Sequence, residues 1–359
     1  MLAIQHLSFF QYRLYPQADF RFTGRITAIT GPNGSGKTAI LDAVYYLCYT
    51  KSYFTAQQQS LARWESPGFR IVGRFEKGGV EETVSARWEG GKKELSVSGI
   101  PVTRATDFIG RYAAVMIAPD DGELILGTSE VRRKWIDSIL AQTDKVYFEK
   151  LLSYNRILQQ RNAWLKAQQF GATPDRIELE SYNLRLHEHG MTIYEKRAVF
   201  IDVFLPYLND IYHRLSAGAE DVQVVYESEI HQKPMAQWLE ERLPEDLRAQ
   251  RTTRGVHRDD WAFLIHEKPV RVFASQGQRK TLLFALKLAQ YQYLKACFGF
   301  SPILLLDDVF EKLDQQRIEA LLSIIREPEF GQVLLTDTHA ERVREAFGEG
   351  TEIQTITTG

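Results

Sequence analysis

Short apolar or alternating runs fill the first 118 positions and return beyond Val222, and between them the period of the pattern changes. Arg25 to Thr30, Phe69 to Phe75, Glu82 to Trp88, Leu95 to Val97 and Tyr112 to Ile117 read as strands, separated by turns such as Gly78-Gly79 and Gly90-Gly91. A single helical stretch, Ala39 to Val44, interrupts them. Glu130 to Gln142, Val146 to Gln169 and Arg176 to Leu215 instead carry helical spacing with few glycines, and Pro206 predicts a break or kink. Further on, Ile303 to Leu306 and Val333 to Leu335 are predicted as buried parallel strands, with helices at Gln278 to Cys297 and Gln315 to Arg326. No run reaches the roughly 18 apolar residues of a membrane span, and no solenoid repeat is present. The pattern predicts an α/β protein of two lobes. Residues 1–118 and 298–359 form lobe I, a mixed sheet around one helix; 119–297 form a largely helical lobe II with an arm over about 129–217.

The turn between the strand ending at Thr30 and that one helix carries specific chemistry. Gly31-Pro32-Asn33-Gly34-Ser35-Gly36-Lys37-Thr38 matches G-x-x-x-x-G-K-[ST] at every fixed position. Glycines let backbone N–H groups curl around a phosphate, and the helix N-terminus adds partial positive charge. Lys37 is expected to reach the β- and γ-phosphates of ATP, and Thr38 to hold Mg2+. The competing reading is a glycine-rich strand-to-helix turn without a ligand.

Two later motifs fit the first. Ile303-Leu304-Leu305-Leu306-Asp307-Asp308 is an apolar strand delivering two acids, Asp307 placed for Mg2+ and Asp308 for orienting or deprotonating the attacking water. Ala274-Ser275-Gln276-Gly277-Gln278, opening the helix before that strand, resembles the signature segment of ABC-type ATPases, which contacts the γ-phosphate held by a second subunit. The resemblance implies a dimer closed over two ATP molecules, with Leu313-Asp314 as the loop crossing the interface. The bland reading of Ser275 is a helix N-cap. His339, after the strand ending near Leu335, stands where such ATPases sense the γ-phosphate; Thr336 or Thr338 are equal alternatives.

The remaining motifs separate the ABC-type machines. Leu7-Ser8-Phe9-Phe10-Gln11-Tyr12-Arg13-Leu14-Tyr15 is similar to the N-F-R-N-Y opening of SMC-like repair ATPases, in which the arginine approaches nucleotide; Leu14 departs from it. Leu41-Asp42-Ala43-Val44 with Lys51-Ser52, Arg132-Arg133-Lys134 with Asp137, Tyr154-Asn155-Arg156 with Gln160-Arg161-Asn162, and Val256-His257-Arg258-Asp259-Asp260 follow in order. This series, over nearly the whole chain, resembles the RecF family. The resemblance implies an ABC-type P-loop ATPase head, an ATP-dependent homodimer that clamps double-stranded DNA at gap junctions without reading sequence, RecO and RecR partners in recombinase loading, and slow, DNA-stimulated ATP hydrolysis.

Composition constrains rather than supports these expectations. A net charge of −2 gives no global attraction to DNA, so phosphate contacts must come from local clusters. Arg132, Arg133, Lys134, Arg156 and Arg161 are the candidates, each also readable as a solvated helix face. The two cysteines, Cys48 and Cys297, are far apart and suit a reducing cytoplasm. A transporter nucleotide-binding subunit lacks the long helical zone, and a full SMC machine needs a far longer coiled coil. Another SMC-like ATPase, or a P-loop small-molecule kinase with an acceptor pocket, are the alternatives to a DNA clamp.

Overall fold

The protein is described by a computed structural model over residues 1–168, 176–216, 218, 220–311, 314–348 and 350–359. The first strands are β1 (Leu2–Tyr12), β2 (Tyr15–Arg21) and β3 (Ile26–Thr30), leading into helix α1 (Lys37–Tyr49). Strands β4 (Gly68–Lys77), β5 (Val80–Glu89), β6 (Lys92–Val97), β7 (Ile100–Pro101) and β8 (Ala114–Ile117) complete the strand-rich zone. Helices α2 (Glu123–Leu126), α3 (Ser129–Thr143), α4 (Lys145–Gln168) and α5 (Arg176–Ser216) follow, then β9 (Val222–Glu227), α6 (Met235–Glu241) and α7 (Leu243–Ala249). The last part contains β10 (Asp260–Ile265), β11 (Lys268–Pro269), α8 (Val270–Phe273), α9 (Gln276–Phe298), β12 (Ile303–Leu306), α10 (Gln315–Arg326), β13 (Val333–Asp337), α11 (Ala340–Phe347) and β14 (Ile353–Thr357).

Two compact units emerge, one of residues 1–121, 210–219 and 280–359, the other of 122–209 and 220–279. The boundaries differ from the expected 118/119 and 297/298. The body of α9 is the main difference: Leu282 to Ala289 are buried without interruption, and an apolar helix of that kind belongs inside a core rather than on a lobe surface.

In the first unit, β3 reads Ile-Thr-Ala-Ile-Thr and is buried at every position, as a central parallel strand requires. It lies in a five-stranded parallel sheet of order β14-β3-β13-β12-β8. A second, antiparallel sheet runs β2-β1-β4-β5-β6-β7. Along β4, Phe69, Ile71 and Phe75 alternate with exposed Arg70 and Arg74, so only one face of this sheet joins the core. Helix α1 packs against β13 and β8 of the parallel sheet and against β4 and β5 of the antiparallel one. Every α1 residue except Thr38 is accordingly buried.

In the second unit, α3 packs on α4 and on β10 of a three-stranded sheet, β11-β10-β9. Of the break or kink expected at Pro206, the break is corrected: α5 runs through the proline as one helix of 41 residues. Phe204 and Leu208, both buried beside the proline, anchor the backbone on either side, which offsets the missing hydrogen bond. Gln169 and Leu313 lie outside the described residues.

Candidate functional site

The P-loop is built by chain geometry that only glycine accepts at two positions. Gly36 adopts φ +94° directly before α1, and a Cβ there would sit 2.7 Å from the Tyr15 ring. At Gly31 a Cβ would lie 2.2 Å from the Thr358 carbonyl oxygen. The loop between them is braced from both sides. Tyr15 donates its hydroxyl to the Ser35 carbonyl (3.1 Å), and Ser35 Oγ meets Thr358 Oγ1 at 2.6 Å. Burial of the Tyr15 ring raises its hydroxyl pKa to about 12, so it stays a neutral donor.

Lys37 is buried and curls over the loop, its Nζ donating to the carbonyls of Gly31 (2.9 Å) and Pro32 (3.1 Å). Those are two weak acceptors for a full charge, and a phosphate oxygen is a stronger one. Thr38, the next residue, faces the end of β12. Its Oγ1 donates to Asp307, 2.9 Å from Oδ1 and 3.1 Å from Oδ2. β13 lies between β3 and β12, so the two motifs meet across one intervening strand.

That intervening strand contributes the residue on which the acids turn. Thr336 Oγ1 donates to Asp307 Oδ1 (2.9 Å) and accepts from the Asp308 backbone N–H (2.9 Å). Burial raises the Asp307 pKa to about 6; the Thr336 and Thr38 hydroxyls oppose the shift, and the neighbouring Asp308 charge adds to it. A carboxylate destabilised in this way, beside a threonine hydroxyl, is a hard-oxygen donor set suited to Mg2+, which takes one or two carboxylates and completes its shell with phosphate and water. Among the described residues no group of three or more His, Cys, Asp or Glu could hold a metal by itself. Asp308 carries φ +45°, a conformation rare for a side-chain-bearing residue and of the kind stored at functional sites.

Arg13, at φ +53°, bonds to Asp42 (3.2 Å) and to the Ser60 carbonyl (3.4 Å). Asp42, fully buried on α1, also accepts from Tyr12, Ser52 and the Tyr53 backbone. His339 is exposed, its Nδ1 against Thr338 Oγ1 (2.8 Å). Of the three side chains considered as phosphate sensors, Thr336 is the one bonded to the carboxylate pair.

The signature segment lies in the second unit, where S-x-x-Q forms a reciprocal capping box. The Ser275 N–H donates to Gln278 Oε1 (2.8 Å), and the Gln278 N–H donates to Ser275 Oγ (3.1 Å). Gln278 Nε2 is further held by Glu220 (2.8 Å). Ser275 and Gln276 are exposed. The cap engages Ser275 Oγ as an acceptor through one lone pair.

Two of the five candidate DNA residues are corrected. Arg132 is buried, with Nε 2.6 Å and Nη2 2.9 Å from the two oxygens of Asp260. Arg161 is fully buried and held by Asp246 (2.7 Å), Thr252 and Asn183. Such pairs hold the second unit together and cannot reach phosphates. Arg133 is half-buried on the Asp259 carbonyl, Lys134 is exposed beside Glu130, and Arg156 is exposed. The Val256–Asp260 motif is structural in the same way. Asp259 accepts from Arg197 (2.8 Å) and Tyr226 (2.6 Å), and Arg197 also binds Asp137 (2.7 Å). Burial lowers the His257 pKa to about 4, keeping it neutral against Tyr154 and the Thr252 carbonyl.

An AAA domain profile matches residues 6–187. The DNA replication and repair protein RecF of Flavobacterium johnsoniae is 39% identical over 340 residues, covering 94% of this chain and 95% of that one. A solved structure of the recombination mediator protein RecF with ATP superposes with a TM-score of 0.88 at 25% identity, covering 99% of this chain and 95% of the other. The Smc head domain of Pyrococcus furiosus shares the fold alone, with a TM-score of 0.56 and 18% identity over 97% of this chain and 91% of that one.

Proposed function

The chain belongs to the family of the DNA replication and repair protein RecF, and from that premise we propose that it is an ATP-gated clamp on double-stranded DNA. The observation that carries this reading is the junction of Thr38, Asp307 and Thr336 beneath the P-loop, with Asp308 beside it. ATP phosphates displace the Lys37 ammonium from the loop carbonyls and bind it, together with the loop N–H groups. Thr38 and Asp307 would hold Mg2+, which neutralises phosphate charge when bound. Asp308 orients the attacking water and takes its proton.

The exposed Ser275, with the half-buried Gly277 beside it, suits the γ-phosphate of a second copy, so that two chains close over two nucleotides. Aspartate is one methylene shorter than the glutamate of fast ABC engines, which supports slow hydrolysis acting as a release timer. Lys134 and Arg156 remain as surface cations for the DNA backbone, and contacts of that type read no sequence. Gap junctions as the target, stimulation by DNA, RecO- and RecR-type partners and a cytoplasmic setting complete the reading. No described helix is long and apolar enough to cross a membrane.

Fluorescence anisotropy of a labelled duplex with ATP, ADP and no nucleotide, at two salt concentrations, tests the clamp. Affinity is expected to rise with ATP and to fall steeply with salt, since each neutralised phosphate releases a counterion. Equal affinity in all three nucleotide states would overturn it.

A further inference from the structure

On the first unit, the end of β1, the start of β4 and the end of β5 enclose a groove of about 660 Å3 that shares no lining residue with the phosphate site. Trp64 stands over it 85% exposed, and Phe10, which also lines it, is 57% exposed. An exposed tryptophan is unusual, and this one is held out deliberately. Ser66 N–H donates to the Arg63 carbonyl (2.9 Å), closing a turn whose third residue, Glu65, has φ +64°. That is the conformation a type II turn requires and a glutamate resists. The Arg63 N–H is itself tied to the Gln11 carbonyl (2.9 Å), so the turn is fixed to β1.

The floor is cationic as well as aromatic. Phe10, Arg70 and Arg87 face one another in register across β1, β4 and β5. Arg87 is paired with Glu89, but Arg63 and Arg70 have no carboxylate partner among the described residues. A second hollow of about 430 Å3 continues from Phe10 and Arg70 towards Gln17. The lining of the main groove contains no Leu, Ile, Val or Met, the side chains an apolar protein anchor would pack against. Exposed aromatic side chains beside arginines that lack a carboxylate partner are instead the chemistry of single-strand recognition, in which bases stack and guanidinium groups follow the phosphates; of the two acids that also line the groove, Glu65 and Glu89, the second is taken up by Arg87. Duplex bases are stacked on one another and cannot use such a platform.

We infer that this groove binds an unpaired polynucleotide strand, with Trp64 and Phe10 stacking bases and Arg63 and Arg70 contacting phosphates. The inference rests on the proposed DNA-binding role and adds to it the strand that a gap leaves unpaired.

The test measures anisotropy of labelled oligo-dT and of a labelled duplex, separately, with the full chain and ATP. Trp64→Ala should weaken oligo-dT binding roughly tenfold, Trp64→Phe should restore most of it, and duplex and ATP affinities should not move. Arg63→Ala with Arg70→Ala should lower the salt slope for oligo-dT by about 1.4, at about 0.7 per phosphate contact on a single strand. Oligo-dT binding that is absent, or unchanged by Trp64→Ala, overturns the inference, whether the face then serves a protein or nothing. Equal losses on oligo-dT and duplex overturn it too. A chain that binds oligo-dT through Trp64 while its duplex affinity ignores nucleotide would instead remove the clamp and leave this site standing.

Discussion

Two residues at the phosphate site do different work, and their separation is measurable. Lys37 sits on two backbone carbonyls that a phosphate oxygen outcompetes, so its charge is spent on binding. Asp308 is held by its backbone N–H on Thr336, which fixes its position beside the proposed magnesium ligands. Lys37→Ala is therefore expected to lose ATP binding, by tenfold or more for the roughly 1.5–3 kcal/mol of a charge-assisted hydrogen bond. Asp308→Asn should bind ATP normally and turn over about a hundredfold or more slowly, the usual weight of general base catalysis. Isothermal titration for affinity and single-turnover hydrolysis for rate read the two separately. Equal losses of affinity would show that Asp308 serves binding.

At the scale of elements, the signature helix shows how one local motif carries two duties. The Ser275 and Gln278 box satisfies backbone N–H groups at the start of α9, and losing a cap of this type costs about 1 kcal/mol. Gln278→Ala should lower the urea midpoint by a corresponding amount and leave monomer ATP affinity intact. Ser275→Arg, which places a bulky cation where the partner's γ-phosphate would dock, should keep ATP binding and abolish ATP-dependent dimerisation in light scattering. If it still dimerises, the segment is a helix cap and nothing more. The elements legible in the sequence share a physical trait. β12 is wholly apolar and leads into two acids, β13 is apolar up to its closing Thr336 and Asp337, and α10 carries a strong one-sided stripe, so the pattern alone predicts them. β14, Ile-Gln-Thr-Ile-Thr, is only half-buried and gives no such signal, yet it lies beside β3 and its successor Thr358 braces the P-loop. Arg132 and Arg161 were misread for a related reason. A basic residue on a helix shows its charge in the sequence but not which face it occupies, and their acids lie 128 and 85 positions away.

At the scale of the molecule, the proposed site is complete only when two chains supply it, and mixing defective chains tests this without any structure of the dimer. The P-loop, Thr38 and Asp307–Asp308 belong to the first unit and Ser275–Gln278 to the second. In the proposed symmetric pair, each nucleotide would be held by the first unit of one copy and the second unit of the other. An Asp308→Asn chain then retains a working signature segment, and a Ser275→Arg chain retains working carboxylates. Each variant alone should hydrolyse ATP at about one per cent of the wild-type rate or less, on the order of the base's contribution. Mixed in equal amounts, half of the random pairs are mixed, and each of those has one sound site of two. Activity should therefore recover to about a quarter of wild type where pairing is random, and to no more than about half where Ser275→Arg chains pair only with the other variant, for a closed two-fold assembly. Recovery should also rise with total protein concentration, because it requires association. Mixtures in which mixed pairs form but that stay as inactive as their components across that range would place all the catalytic groups on a single chain. The signature segment would then have no part in turnover, and the clamp would lose its closing mechanism.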